Sequence, residues 1–283
     1  MTKTSAIESH VPRAVKDYMV TAESFSLVWN DEYKAYQTTP RPKELSSYYN
    51  HPDYISHNDE SKGLVAQVYR FVRNWNIRIK LKWLKKANPL GKKLLDYGSG
   101  TGDFLKAANE TSWDGEGLEV NEQARTVANK KGLKIFKAQS QIEQGRYDVI
   151  TLWHVLEHLD DLGEMAKWLS EHLSERGVLI IAVPNFKSWD AKFYGHHWAA
   201  YDVPRHLWHF SKESIQTLFD QDFELIQTHP MWFDAIYVSL LSERYKANNG
   251  FALRGILIGL WSNFCALFSK EPSSLTYVLK KRN

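Results

Sequence analysis

Cysteine is almost absent from this chain. Cys265 is the single one in 283 residues, so neither a disulfide framework nor a thiolate zinc cluster can be built, and a reducing, cytosolic setting fits. A charge excess of either sign is also missing. The formal net charge is +3, too small to suggest nucleic acid or an anionic membrane as a partner. The N-terminal stretch MTKTSAIESHVPRAVKDY has no apolar signal core, and no export is expected. Internal repeats are lacking. Aromatic side chains are plentiful, with 11 Trp and 14 Tyr. They fit a flat organic ligand or, as the better default, a well-filled core.

Three regions follow from composition and periodicity. Residues 1–60 are irregular and rich in Tyr, Pro and Asp, with FSLVWNDEYKAYQT reading as a hairpin around an Asn-Asp turn. Residues 61–90 form a linking segment. Its stretch 61–86 places Leu64, Val65, Val68, Val72, Trp75, Ile79 and Trp83 at helical spacing. Its later part, NIRIKLKW, also alternates like a strand, and its basic face reads as solvated surface. From residue 91 to 283 the runs KLLDYGSG, GEGLEV, KIFKA, YDVITLW and GVLIIAVPN alternate with helical segments such as NEQARTVANKKG and GEMAKWLSEHLSERG. Such alternation implies a parallel sheet wrapped on both faces, which binds ligands at the carboxyl ends of its strands. FELIQTHP and LTYVLKK add two strands, separated by the helices AIYVSLLSERYK and FALRGILIGLWSNFCALF. The second helix is unusually apolar. It reads as a buried or lid helix within about residues 235–268, with membrane contact the minority reading.

LLDYGSGTGDFLKAA runs strand, turn, helix. Gly98, Gly100 and Gly102 permit positive φ and close approach of a ligand to the backbone. The third glycine of a dinucleotide fingerprint would fall on Asp103, a poor fit. Asp96, just ahead of the first glycine, is unhelpful to a pyrophosphate and suits a cationic amino group. Glu119, seventeen residues after Gly102, can accept from ribose hydroxyls. A ribose and a cationic tail without a diphosphate describe S-adenosyl-L-methionine.

DYGSGTGDF, LEV, YDVITLWHVLEHL and GVLIIAVPN, in that order, resemble a class I S-adenosylmethionine-dependent methyltransferase. The likeness is to the ubiquinone-biosynthesis-type, methyltransferase-23-like branch, and it is strong from Lys93 to Phe223. It implies a Rossmann-like, doubly wound, seven-stranded and mostly parallel sheet with an N-terminal extension. It also implies methyl transfer to a small or medium organic acceptor, by O- or N-methylation. The cofactor set it implies is Asp96, Gly98, Gly100, Gly102, Phe104, Glu119, Val120, Trp153 and His154, with Gln139 and then Ser140 at the adenine. Glu157 and His158 follow on the next turn. H-x-x-E-H is also the signature of inverted zinc peptidases, but that reading needs a third ligand and leaves the glycine loop unexplained, so no metal is expected.

For catalysis the resemblance points to His206 as a base and to His154. Tyr201, Asp202, Arg205 and His209, in the YDVPRHLWHFS segment that closes over related active sites, are the candidates for binding substrate. The N-terminal hairpin resembles a zinc-ribbon-like module whose cysteine positions hold Asn30 and Tyr33 here, so its shape is expected without its metal. Tyr54 and His57 are candidate cofactor-pocket contacts. The acceptor is expected to be a small molecule, apolar or sugar-linked. With no N-P-P-Y-type motif, nucleic acid is disfavoured. The rival readings are a nicotinamide-dependent oxidoreductase and a catalytically idle S-adenosylmethionine-binding protein.

Overall fold

The computed structural model describes residues 9–45, 48, 64–88, 90–246 and 252–282. Tyr54, His57 and residues 61–63 lie outside them. The chain begins with three short strands, β1 (Ala14–Lys16), β2 (Ser24–Asn30) and β3 (Ala35–Thr39). The long helix α1 (Leu64–Ala87) follows. NIRIKLKW is therefore helical, and its alternation is a by-product of lysines spaced along a partly buried helix.

Next come β4 (Lys93–Tyr97), α2 (Asp103–Asn109), β5 (Asp114–Leu118), α3 (Glu122–Lys130), β6 (Ile135–Phe136) and β7 (Tyr147–Trp153). Then α4 (Leu162–His172), β8 (Leu173–Pro184), α5 (Trp189–Tyr194), β9 (Trp208–His209) and α6 (Lys212–Phe219). The chain closes with β10 (Phe223–Pro230), α7 (Trp232–Lys246), α8 (Ala252–Ser269) and β11 (Ser274–Lys281).

Seven strands form one sheet in the order β10-β11-β8-β7-β4-β5-β6. The strands β4 to β8 run parallel, and β11 is antiparallel to both its neighbours. Leu94, Leu95, Val149, Ile150 and Leu152 are fully buried, as expected of strands covered on both faces. The strand order reverses between β4 and β7, so the crevice for a ligand opens at their carboxyl ends.

A second sheet, β1-β2-β3-β9, is antiparallel. It pairs Tyr36 with His209 and Gln37 with Trp208, so the N-terminal hairpin shares a sheet with the segment after β8. Arg205 fastens this junction. Its guanidinium donates to Asp17 Oδ1 at 3.0 Å, Asp202 Oδ1 at 2.6 Å and the Tyr48 carbonyl at 3.1 Å, and its side chain is 1% exposed. Removing one partner of a buried ion pair strands the other charge, typically at about 3–5 kcal/mol. Arg205→Ala is expected to lower unfolding stability by about that amount in a denaturant titration. A loss under about 1 kcal/mol would contradict this anchoring role.

Helix α8 departs from the expectation of burial, because only 22% of it lies inside the structure. Its small residues Gly255, Gly259, Ser262 and Ala266 are the buried ones. They face α7 so closely that a Cβ on Gly259 would stand 2.5 Å from Ile236 Cα. Packing small faces together is what brings two helix backbones this near. The large apolar side chains are left pointing outward.

Candidate functional site

The loop after β4 carries positive φ at all three glycines, +73° at Gly98, +54° at Gly100 and +79° at Gly102. At Gly100 an added Cβ would meet nothing within 4 Å, so the tip of the loop borders open space that a ligand can enter. Glu119, just beyond β5, braces it. One carboxylate oxygen accepts from Gly100 N and the other from Asn121 N, each at 2.8 Å. A carboxylate offers about four acceptor positions, so two remain for another donor.

Asp96 sits one residue before the end of β4 and is 2% exposed. Thr151 Oγ1 donates to its Oδ1 at 2.7 Å. Burial pushes its carboxyl up to about 7, against the pull of Thr151 and Lys80. A buried carboxylate so destabilised is a receptor for a cation. Gln139, in the turn after β6, donates its amide N–H to Tyr97 Oη at 2.6 Å, which leaves its carbonyl oxygen as an acceptor for an amino group. Ser140 and Val120 beside this edge are exposed.

A family model described as "Methyltransferase domain" matches residues 68–228, more than half of the chain. The chain belongs to this methyltransferase family. Similar proteins include the ubiquinone biosynthesis O-methyltransferases of Erwinia tasmaniensis (29% identity, 47% of this chain, 65% of that enzyme) and Rickettsia prowazekii (27%, 73% and 85%). The fold is also that of the Haemonchus contortus phosphoethanolamine N-methyltransferase 2, with a TM-score of 0.54 at 16% identity over 88% of this chain and 62% of that one. The protein is an S-adenosylmethionine-dependent methyltransferase, and this family assignment replaces the nicotinamide-oxidoreductase alternative. S-adenosyl-L-methionine is its cofactor. The residues present fit that cofactor. A desolvated carboxylate, a glycine cradle open to space and a braced acidic side chain at the second strand are the chemistry it requires.

At the end of β7 the methyltransferase places Trp153 and His154. Phe104, 7% exposed, packs edge-on against Trp153 with ring centroids 5.3 Å apart. It thus packs against the ring of an expected cofactor neighbour. His154 adopts left-handed φ of 57°, a strained state for a non-glycine residue. That turn aims its imidazole between two acids, with Asp234 Oδ2 3.1 Å from Nε2 and Glu157 Oε1 3.3 Å from Nδ1. Burial disfavours its charge, but the two carboxylates outweigh it and hold the imidazole at about 9. With a carboxylate against each ring nitrogen, His154, expected among the catalytic residues, ties the end of β7 to α7.

His158 turns the other way, so the H-x-x-E-H spacing does not bring its two histidines together. Residues Leu156–His158 form a single 3-10 turn, not a helix. His158 Nδ1 donates to the Arg205 carbonyl at 2.9 Å, and His206 Nδ1 to the Ala200 carbonyl at 2.8 Å. The two rings meet edge to face at 4.7 Å. Glu157, His158 and His206 bring one ligand-type atom each within 4.8 Å of one another. These are donor types a metal accepts, one short of a closed tetrahedral shell. His206, which burial lowers to about 4, sits in this cluster behind Glu157.

The four expected substrate contacts are absorbed by the fold. Tyr201 and Arg205 are 0% and 1% exposed. His209 Nε2 lies 2.9 Å from Thr38 Oγ1 within the small sheet, and Asp202 holds Arg205. Asp202, Arg205 and His209 knit the hairpin to the β8–α6 connection, which corrects their assignment to a substrate, while the Tyr201 hydroxyl is buried there without a hydrogen-bond partner.

Among the described residues, a cavity lies between α1 and the β10–α7 junction. It measures about 420 Å³ and is lined by Trp75, Lys80, Trp83, His229, Trp232 and Phe233 among others. Trp83 and His229 stack at 4.7 Å. The Lys80 amine stands 4.2 Å from the centroid of the Trp153 ring, so the cavity meets the cofactor crevice at this lysine. Burial pulls Lys80 down to about 8, against Asp234 and Asp96. Lys80 and Asp234 were missed by sequence reasoning. The available signal was Trp75, Ile79 and Trp83, the apolar stripe of α1. It marks this cavity wall, with Lys80 interleaved.

Proposed function

We propose that this methyltransferase O-methylates a phenolic or quinol-type aromatic acceptor seated in the α1–α7 cavity, with Lys80 taking the hydroxyl proton. The observation that carries this reading is the Lys80 amine, held among tryptophans where the cavity meets the carboxyl ends of β4 and β7. Flat, apolar walls suit an aromatic ring. The relatives named as ubiquinone biosynthesis O-methyltransferases support the same acceptor class, and they favour it over a sugar-linked one. The lone Cys265 agrees with a cytoplasmic location.

When bound, S-adenosyl-L-methionine supplies a methyl group on a positively charged sulfur. Asp96 would receive its amino group, Glu119 its ribose hydroxyls and Gln139 its adenine amino group. Trp75, Trp83 and Trp232 would then hold the acceptor ring, mainly a matter of position. Lys80, lowered by burial, is partly neutral near pH 8 and able to accept a proton. The His154 clamp fixes Asp234, and through it the first turn of α7 that carries Trp232 and Phe233.

The test is labelled methyl transfer to a prenylated catechol, a matched glycoside and a matched primary amine. Turnover of the catechol is expected. Turnover of the glycoside or amine without the catechol would overturn the reading. Cofactor binding with no turnover of any of the three would favour the idle-binding alternative.

A further inference from the structure

The exposed side of α8 is the least explained surface of the molecule. Leu253, Leu257, Leu260, Trp261, Phe264 and Phe268 on it are 50–75% exposed. Their rings run on as a chain, Trp261 to Phe264 at 5.4 Å and Phe264 to Phe268 at 5.3 Å. Trp189 and Phe193 of α5 extend it. Contiguous apolar patches of this kind mark surfaces that bind something.

The charges around the patch say what that is. On α5, α7 and α8 every exposed charged side chain is basic: Lys192, Arg244, Lys246 and Arg254, the last of these paired with Glu243 at 3.6 Å. The acids of these helices are turned inward. Asp190 and Glu243 are 0% and 3% exposed, and Asp234 is engaged by His154. Leu, Trp and Phe on one face with Lys and Arg at its margin are the composition of a helix lying in a lipid interface. The margin complements anionic headgroups. A second copy of this chain seated on the same face would bring these cations against their own counterparts.

We propose that α8 docks the protein on the surface of an anionic bilayer, lying flat in it. By length and composition this helix could cross a membrane. Its inner edge is fastened, however. Ser262 Oγ donates to Asp190 Oδ1 at 2.7 Å, Asn263 donates to the Trp232 carbonyl at 2.7 Å, and Gly259 touches the α7 backbone. Crossing would strip these contacts, whereas lying flat keeps them. Trp232, whose carbonyl accepts from Asn263 of α8, also lines the cavity, so α8 packs against a wall of that cavity. This route for an apolar acceptor to pass from lipid to Lys80 rests on the proposed function, but membrane docking itself does not.

The experiment is flotation of the full chain with vesicles of phosphatidylcholine alone and of phosphatidylcholine mixed with phosphatidylglycerol, at low and high salt. Binding to the mixed vesicles is expected to be at least about tenfold tighter than to the neutral ones and to weaken with salt. The double variant Leu257→Glu with Phe264→Glu should lose that binding while keeping its affinity for S-adenosylhomocysteine, which shows that it is folded. A wild-type chain that stays in the aqueous phase with mixed vesicles overturns docking. So does a stable dimer, by light scattering, that the double variant dissolves. Vesicle binding without catechol methylation would leave docking standing and remove the acceptor reading.

Discussion

Asp96→Asn is expected to weaken S-adenosylhomocysteine binding by about tenfold to a hundredfold while making the ligand-free protein more stable. The first effect follows from removing the charge that meets the ligand's amino group, since a hydrogen bond to a charged group contributes about 1.5–3 kcal/mol. Asparagine keeps the size of the side chain and an acceptor for Thr151. The second effect follows from linkage. The folded carboxyl, at about 7, lies above its ordinary value of 3.8, with burial as the leading cause. The folded state therefore binds the proton more tightly than the unfolded chain does. Stability is greatest below about pH 4 for this group and is lost as pH rises towards 7. At full ionisation the loss is on the order of 4 kcal/mol, taking 1.36 kcal/mol per pH unit of displacement. Asparagine does not ionise and escapes that loss. Wild-type affinity should fall as pH drops below about 7, because the receiving carboxylate must first lose its proton. Calorimetry at pH 6 and pH 8, with denaturant titrations of both proteins, checks both halves. Equal affinity at the two pH values would remove Asp96 from the role.

Lys80→Met carries the larger expected loss of rate. Methionine retains an unbranched apolar stem beside Trp153 and removes the amine. If Lys80 accepts the acceptor's proton, kcat should drop by about 10²–10⁴-fold, the usual range for a positioned base. The sign of the pH dependence separates this role from mere packing. A lysine base works as the neutral amine, so wild-type turnover should rise with pH through about 8, where burial has brought Lys80. The variant should lose that limb and show a flat residual rate. A variant that is slower but keeps the same limb would assign Lys80 to the shape of the cavity alone.

Much of the cofactor side was legible because its determinants are close in sequence. Asp96, the three glycines and Glu119 belong to one strand-loop-helix-strand unit, and local backbone chemistry puts them together. The acceptor side was legible in a different and misleading way. YDVPRHLWHF shows many polar groups, but not that Arg205 would reach Asp17 or that β9 would pair with β3. Those partners lie far away along the chain, and a buried ion pair reads the same in sequence as an exposed one. Lys80 was hidden by its neighbours, since a lysine-rich helix ordinarily presents its cations to water. The high apolar content of α8 suggested burial. The spacing of Gly255 and Gly259, one turn apart, was the better guide to the edge that packs.

The pairing of β3 with β9 fixes when the small sheet can close. Thr38 and His209 are 171 residues apart. Until the second of them emerges from the ribosome, β3 has an open edge and the Asp17 turn lacks its arginine. At 5–20 residues per second that interval lasts roughly 9 to 34 s. The nascent hairpin is thus exposed to wrong partners throughout that interval, and closure of the small sheet is a slow, non-local step.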